Sequence, residues 1–368
     1  MRTLLGLLVL VFAKYSLADH LHWAFLHYHK TGHDLCGYFS NVFNDSASQC
    51  KKVVIIEMFR SDKVHAKTLL SADLATIHPN IFLWDSVFNV PQHSFRIVHF
   101  VREPFDMVMS AYLYHRQVPY PAPEHFLGSK HYDPCLSEDR ELNKFLIPAL
   151  ADFTSGRNNI TEMLDNVRAL CYSLVKKYPA KDFNTVLNIA VQGKDQLDGV
   201  RIEACRALLS VNNGDILRMA YNTLQEVTYL KSHSNVAVRR TFTSEFPVTN
   251  LTVYHGSVRS VYDFLMSPVN VKSNLFYNCI SEEEAVRFTM TNALATLPKT
   301  YSQDLKGVLP SNATSPAVGI SPEKDVRAHI TSDKLSTADR LAYIQRLEQD
   351  PVLGPLLLIV RQIVLNHV

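Results

Sequence analysis

At 368 residues, 47% of them hydrophobic and 20% charged, the chain is long enough to bury a sizeable core without staples. Lys and Arg (37) nearly balance Asp and Glu (35), for a formal net charge of +2. That balance excludes a polyanion-binding surface spread over the whole molecule, so an anionic ligand must be met by local clusters, and nothing points to nucleic acid.

The first eighteen residues read as an address. Arg2 precedes an apolar run, Thr3–Ala13, and Ser16-Leu17-Ala18 offers the small residues that a signal peptidase reads. The run falls short of the roughly 20 apolar residues that cross a bilayer. A cleaved signal peptide over 1–18 is expected, followed by a single domain over 19–368. An uncleaved anchor is the alternative, and the one route by which the chain would meet a membrane. Four sequons, at Asn44, Asn159, Asn250 and Asn312, agree with secretory entry. All six cysteines lie after the leader, and no CxxC pair suggests a zinc ribbon or a thioredoxin-like site.

The stretch Leu21–Tyr38 organises the rest. Trp23, Ala24, Phe25, Leu26 and Tyr28 predict a buried strand. The pattern breaks at Lys30-Thr31-Gly32 and resumes in helical spacing at Leu35, Cys36, Tyr38 and Phe39. A strand, a glycine-containing turn and a helix cradle an anion, because the first helical N–H groups have no intrahelical partner and the helix dipole favours negative charge there. Lys30 adds a full charge at the mouth. Further on, Val53–Ile56 predicts a second strand ending at Glu57, Ile81–Trp84 a third, and Phe95–Val101 a fourth that runs into Arg102-Glu103-Pro104. Proline suits a first helical turn. Phe105, Val108, Met109 and Tyr112 then form one apolar face, while Asp106 and Ser110 share another.

Val118–Cys135 reads as a long binding loop or lid. From Glu138 onward the pattern turns helical, with helices expected over Asn159–Lys177, Gly199–Ser210, Asp215–Leu230, Leu275–Leu297, Thr337–Gln349 and Pro351–Leu365. Ser281 stands at an internal or true N-cap of the fourth, and Lys306–Glu323 reads as a surface connection. The fold class is therefore α/β: a P-loop-like central, mostly parallel sheet flanked by helices, with a largely helical carboxyl-terminal half.

A Walker A loop would need Gly-x4-Gly-Lys-Ser/Thr, but Tyr38-Phe39 follows Gly37, so an ordinary nucleotide triphosphatase is disfavoured. Arg102 at a strand end and Ser110 eight residues later could instead grip a phosphate by a charge-assisted fork and a hydroxyl. The alternative is Arg102 pairing with Glu103 or Asp106. His27, His29 and His33 lack the carboxylate spacing of a familiar metal site, and no metal is expected.

Taken together, His29-Lys30-Thr31-Gly32 and Phe100-Val-Arg102-Glu-Pro104, with Ser110-Ala-Tyr112, resemble the 5′-phosphosulfate loop and the 3′-phosphate site of the sulfotransferase superfamily. The closest motif likeness is to the Golgi carbohydrate sulfotransferases. The resemblance covers about residues 20–116. It implies 3′-phosphoadenosine 5′-phosphosulfate (PAPS) as cofactor, held by Lys30, Thr31, Gly32, His33, Asp34, Leu35, Arg102 and Ser110. It also implies a hydroxyl acceptor on a carbohydrate or glycoprotein, and work in the Golgi lumen or after secretion. One departure stands out, because the family places Ser or Thr after the loop glycine and this chain has His33 and Asp34. His33 could donate to an anion, whereas Asp34 must point away from it.

Sulfuryl transfer resembles phosphoryl transfer, in which the protein aligns donor and acceptor and stabilises charge on the leaving oxygen. Lys30 is the candidate for that charge and Glu57 for the base, with His33, His65 and His99 in reserve. Two rival readings remain: a non-catalytic secreted protein with a degenerate fold, and an atypical nucleotide-dependent kinase.

Overall fold

The structure is a computed structural model that describes residues 20–28, 31–44, 53–58, 69–77, 92–117, 140–177, 196–209, 215–247, 250–267, 279–295 and 336–366. The leader, the strand expected at Ile81–Trp84, and the segments Val118–Cys135 and Lys306–Glu323 lie outside these residues. Within them the chain forms two compact units, interleaved in sequence.

The first unit is built on five strands: β1 (His20–Leu26), β2 (Ile55–Met58), β3 (Leu74–Ile77), β4 (His93–Val101) and β5 (Val236–Phe242). They run in the order β2-β3-β1-β4-β5, all parallel. The register sets Leu26 opposite Ile77 on one side and His99 on the other. Every residue of β1 after His20 is buried, which matches an apolar strand covered on both faces. One face carries Ala24, Leu26, Ala75, Ile77, Phe95 and Ile97, joined by Leu69 and Val236. The opposite face is aromatic. Helix α1 (His33–Asn44) sets Phe43 edge-on against Trp23 and Phe39 against Phe25, and Phe39 also meets Phe100 and Tyr262. Cys36, Phe39 and Phe43 recur at i, i+3 and i+7, so one stripe of the helix buries against the sheet.

Strands β3 and β5 were not expected from the sequence. LATI has only four residues, and VAVRRTF interrupts its β-branched pattern with two arginines. β5 is paired because Asn235 offers its carbonyl to the Phe95 N–H at 2.8 Å and its amide to the His93 carbonyl at 2.8 Å. After a 3-10 turn at Thr243–Glu245, α7 (Leu251–Met266) and α8 (Glu282–Ala295) complete this unit. The true start of α8 is Ser281. Its hydroxyl accepts the Glu284 N–H at 3.3 Å while the Glu284 carboxylate takes the Ser281 N–H at 3.0 Å, a reciprocal cap.

The second unit is helical. It contains α2 (Pro104–Gln117), α3 (Arg140–Phe153), α4 (Ile160–Lys176), α5 (Gln196–Leu209), most of α6 (Asp215–Ser232), α9 (Thr337–Glu348) and α10 (Leu353–Asn366). α5 packs on α2 and α4, and the pair α9–α10 packs on α2. The α9–α10 corner is closed by Asp350. Its carboxylate accepts the Val352 and Leu353 N–H groups at 2.9 and 3.0 Å and an Arg201 guanidinium nitrogen at 2.6 Å. Gly354 is required there, since a Cβ would lie 2.4 Å from the Glu348 carbonyl oxygen. No helix among the described residues is long and apolar enough to cross a membrane.

Candidate functional site

β1 and β4 are parallel neighbours in register, so the chain leaves both at the same, carboxyl, edge of the sheet. Open α/β sheets receive ligands at that edge. The turn after β1 is closed by Thr31, whose backbone N–H donates to the Tyr28 carbonyl at 3.0 Å. Its hydroxyl accepts the Tyr28 N–H at 2.6 Å and donates back to the same carbonyl at 3.1 Å. Thr31 is fully buried, and both of its hydrogen-bonding groups serve the turn, so its part in the site is geometric. Gly32 follows at φ 99, a conformation that a Cβ would penalise and that turns the chain into α1.

His33 and Asp34 open α1 and are exposed, while Leu35 is half-buried. Asp34 sits in the first turn, where a carboxylate suits the helix dipole. Burial raises the phenol pKa of Tyr254, and the neighbouring Tyr38 and the Asp34 charge add to the rise. Lys30 and His29 lie outside the described residues.

The turn has an anchor that the sequence did not disclose. The Asn222 amide, on α6, donates to the Tyr28 hydroxyl at 3.1 Å, and both residues are fully buried. A helical asparagine nearly two hundred residues away carries no local signal for such a contact.

Arg102 stands just past the last residue of β4 and is half-buried, as is Ser110 on α2. The helix between them is fixed by the intervening acids. A Glu103 carboxylate oxygen accepts the Asp106 N–H at 2.7 Å, capping α2, and the other lies 3.1 Å from Arg361 Nε. The Arg361 guanidinium also meets Glu348 at 2.6 Å and lies 5.5 Å from the centre of the Phe105 ring. Asp106 pairs with Arg340 at 2.8 Å. The two acids considered as partners for Arg102 thus have arginines of their own from the carboxyl-terminal helices. Burial raises the Glu103 pKa, against the lowering effects of the Asp106 N–H and Arg361.

Thr31, Gly32, His33, Arg102 and Ser110 belong to the helical unit, and Asp34, Leu35 and Glu57 to the sheet unit. Glu57 lies in β2 opposite Thr76, and Thr76 lies opposite Phe25. Its backbone is therefore near the carboxyl edge but two strands from β1, a lateral span of about 10 Å. Nothing is described of its side chain. His65 lies outside the described residues.

His99 is sealed. It is fully buried, and its Nδ1 pairs with a carboxylate oxygen of Glu226, whose other oxygen takes Arg240 Nη2 at 2.6 Å. Burial raises the Glu226 pKa, but the His99 and Arg240 charges and hydrogen bonds outweigh it, so the net direction is down. In this arrangement the His99 ring is engaged by Glu226. Among the described residues no three of His, Cys, Asp and Glu converge to hold a metal ion.

Comparison with protein-family models, with curated proteins and with solved structures returned no match.

Proposed function

We propose that this chain is a sulfotransferase that moves a sulfuryl group from PAPS to an acceptor hydroxyl on a carbohydrate in the secretory lumen. The observation that carries the reading is the parallel pairing of β1 with β4. Both strands end at the same, carboxyl, edge of the sheet, and each of the two motifs follows one of them in the chain within a few residues. In this reading the α1 amino terminus and Lys30 receive the 5′-phosphosulfate, and Arg102 with Ser110 receives the 3′-phosphate. Lys30 neutralises the charge that gathers on the leaving phosphate oxygen as the S–O bond breaks. Glu57 takes the acceptor proton, and His33, exposed beside the loop, is the alternative base.

The commitment of the Thr31 hydroxyl to the turn shifts anion binding onto backbone N–H groups and Lys30. The experiment is calorimetric titration of the mature protein with adenosine 3′,5′-bisphosphate in the absence of metal. Binding is expected, and Arg102→Ala should weaken it about ten- to a hundredfold, the loss of one charge-assisted contact. An intact, folded protein that does not bind the nucleotide ends the sulfotransferase reading. Binding that appears only with Mg²⁺ favours the kinase reading.

A further inference from the structure

Two of the sequons, Asn159-Ile160-Thr161 and Asn250-Leu251-Thr252, lie wholly within the described residues, and the structure gives both the same setting. Each asparagine is the N-cap of a long helix, exposed, with the sequon threonine exposed at the second helical position. In α4 the Asn159 Oδ1 accepts the Glu162 N–H at 3.2 Å, and in α7 the Asn250 Oδ1 accepts the Val253 N–H at 3.2 Å. The cap therefore uses the amide oxygen. The nitrogen, the atom on which an N-linked sugar is built, is not needed for it. At Asn159 one N–H donates to the Glu162 carboxylate at 3.2 Å, and an amide has a second.

We infer that Asn159 and Asn250 are acceptors for N-linked oligosaccharide, and that their helix caps survive the modification. The inference rests on the lumenal compartment proposed above. Independent support comes from Cys171 and Cys279, both engaged in disulfides, which form in an oxidising lumen, while Cys36 and Cys205 are buried and form no disulfide.

The donor is an oligosaccharide carried on a lipid diphosphate. Asn Nδ2 forms a bond to the anomeric carbon and gives up one of its two protons to a base. The bond from that carbon to the diphosphate oxygen breaks, and the lipid diphosphate leaves with the electron pair. Oδ1 remains a carbonyl oxygen and goes on accepting the helical N–H, and the remaining Nδ2 proton at Asn159 still faces Glu162. An acceptor whose oxygen is the cap thus loses nothing in the folded state.

The test uses the full chain expressed through the secretory route of a eukaryotic cell. An amidase that releases N-linked glycans in heavy-oxygen water converts each modified asparagine to a labelled aspartate, read on peptides spanning residues 159 and 250. Label at both positions is expected. Thr161→Ala and Thr252→Ala should each remove one glycan and leave the cap asparagine in place, and Asn159→Asp should remove the glycan while keeping an oxygen acceptor at the cap. Unlabelled peptides from a chain whose Cys171 is oxidised overturn the inference and leave lumenal entry standing. Unlabelled peptides together with reduced Cys171 overturn both.

Discussion

The two units handle buried charge in different ways. In the sheet unit, Glu226 is 2% exposed and receives the buried His99 from β4 and the partly buried Arg240 from β5, so three ionisable groups meet largely out of water. In the helical unit, Glu103 and Asp350 share another arrangement. Each caps a helix with one oxygen and has the other beside an arginine from a neighbouring helix. A helix end is a source of N–H groups and of favourable dipole, so a carboxylate there has support besides its ion pair. Glu226 lies in the interior of α6, away from a helix start, and is held by His99 and Arg240. The direction of the pKa shift does not track that support. Burial raises the pKa of Glu103 more than its partners lower it, while the partners of Glu226 prevail over burial.

The largest effect should come from Glu226→Gln. It leaves Arg240 without its counter-charge in a buried site and should cost about 3–5 kcal/mol in chemical denaturation. A loss below about 1 kcal/mol would show that the three groups are not interdependent. Next is Asp350→Ala, which strips two N–H groups of their acceptor and releases Arg201. A destabilisation of about 2 kcal/mol is expected, with Asp350→Asn recovering the cap share of it. If Asn recovers nothing, the ion pair and not the cap holds the α9–α10 corner.

The smallest effect should be Glu103→Gln at pH 7, under about 1 kcal/mol, because an amide can still accept the Asp106 N–H. Here the sign of the pH dependence separates the units. Glu103 has a raised pKa, so its contribution is fully present below the ordinary 4.5 and is lost as pH rises through the folded value. Glu226 has a lowered pKa, so its contribution is present above 4.5 and is lost as pH falls through its folded value. Stability relative to the parent should therefore change with pH in different windows and in opposite directions, above pH 4.5 for Glu103→Gln and below it for Glu226→Gln. Parallel profiles would refute the distinction.

The same sheet holds a gentler case at its other end. His22 is buried, donates from Nδ1 to the Ala72 carbonyl at 2.5 Å, and through Nε2 meets His93 Nδ1 at 2.6 Å. With Nδ1 carrying the proton, Nε2 is the acceptor and His93 the donor, so the pair is satisfied while both rings are neutral. Burial lowers the His22 pKa, with the His93 and His20 charges adding to the effect and the Ala72 carbonyl and Asp73 opposing it. Its contribution is present above 6.5 and declines as pH falls below that value. The parent should lose stability as pH falls below 6.5, and His22→Leu should flatten that limb. A parent profile that is already flat across this window contradicts the assignment.

Local pattern carried much of this protein. Trp23 to Leu26 as a buried strand, the glycine turn, the helix starts at Pro104 and Asn159 and the Ser281 cap all follow from side-chain size, backbone freedom and orphan N–H groups. These are properties of a few adjacent residues. The strands β3 and β5 were not legible because four residues make too short a pattern, and Arg239 and Arg240 mask the other. Their strand character comes from hydrogen bonds to neighbours distant in sequence.

The order of the sheet, the register that sets Leu26 beside His99, and the Asn222 anchor beneath Tyr28 were likewise decided only in three dimensions. So were the partners of the acids around Arg102. The sequence set Arg102 next to Glu103, but the tertiary structure brought Arg361 and Arg340 to Glu103 and Asp106 from more than two hundred residues away. Charge pairing depends on distance in space, and for pairs this far apart in the chain only the packing of helices fixes that distance.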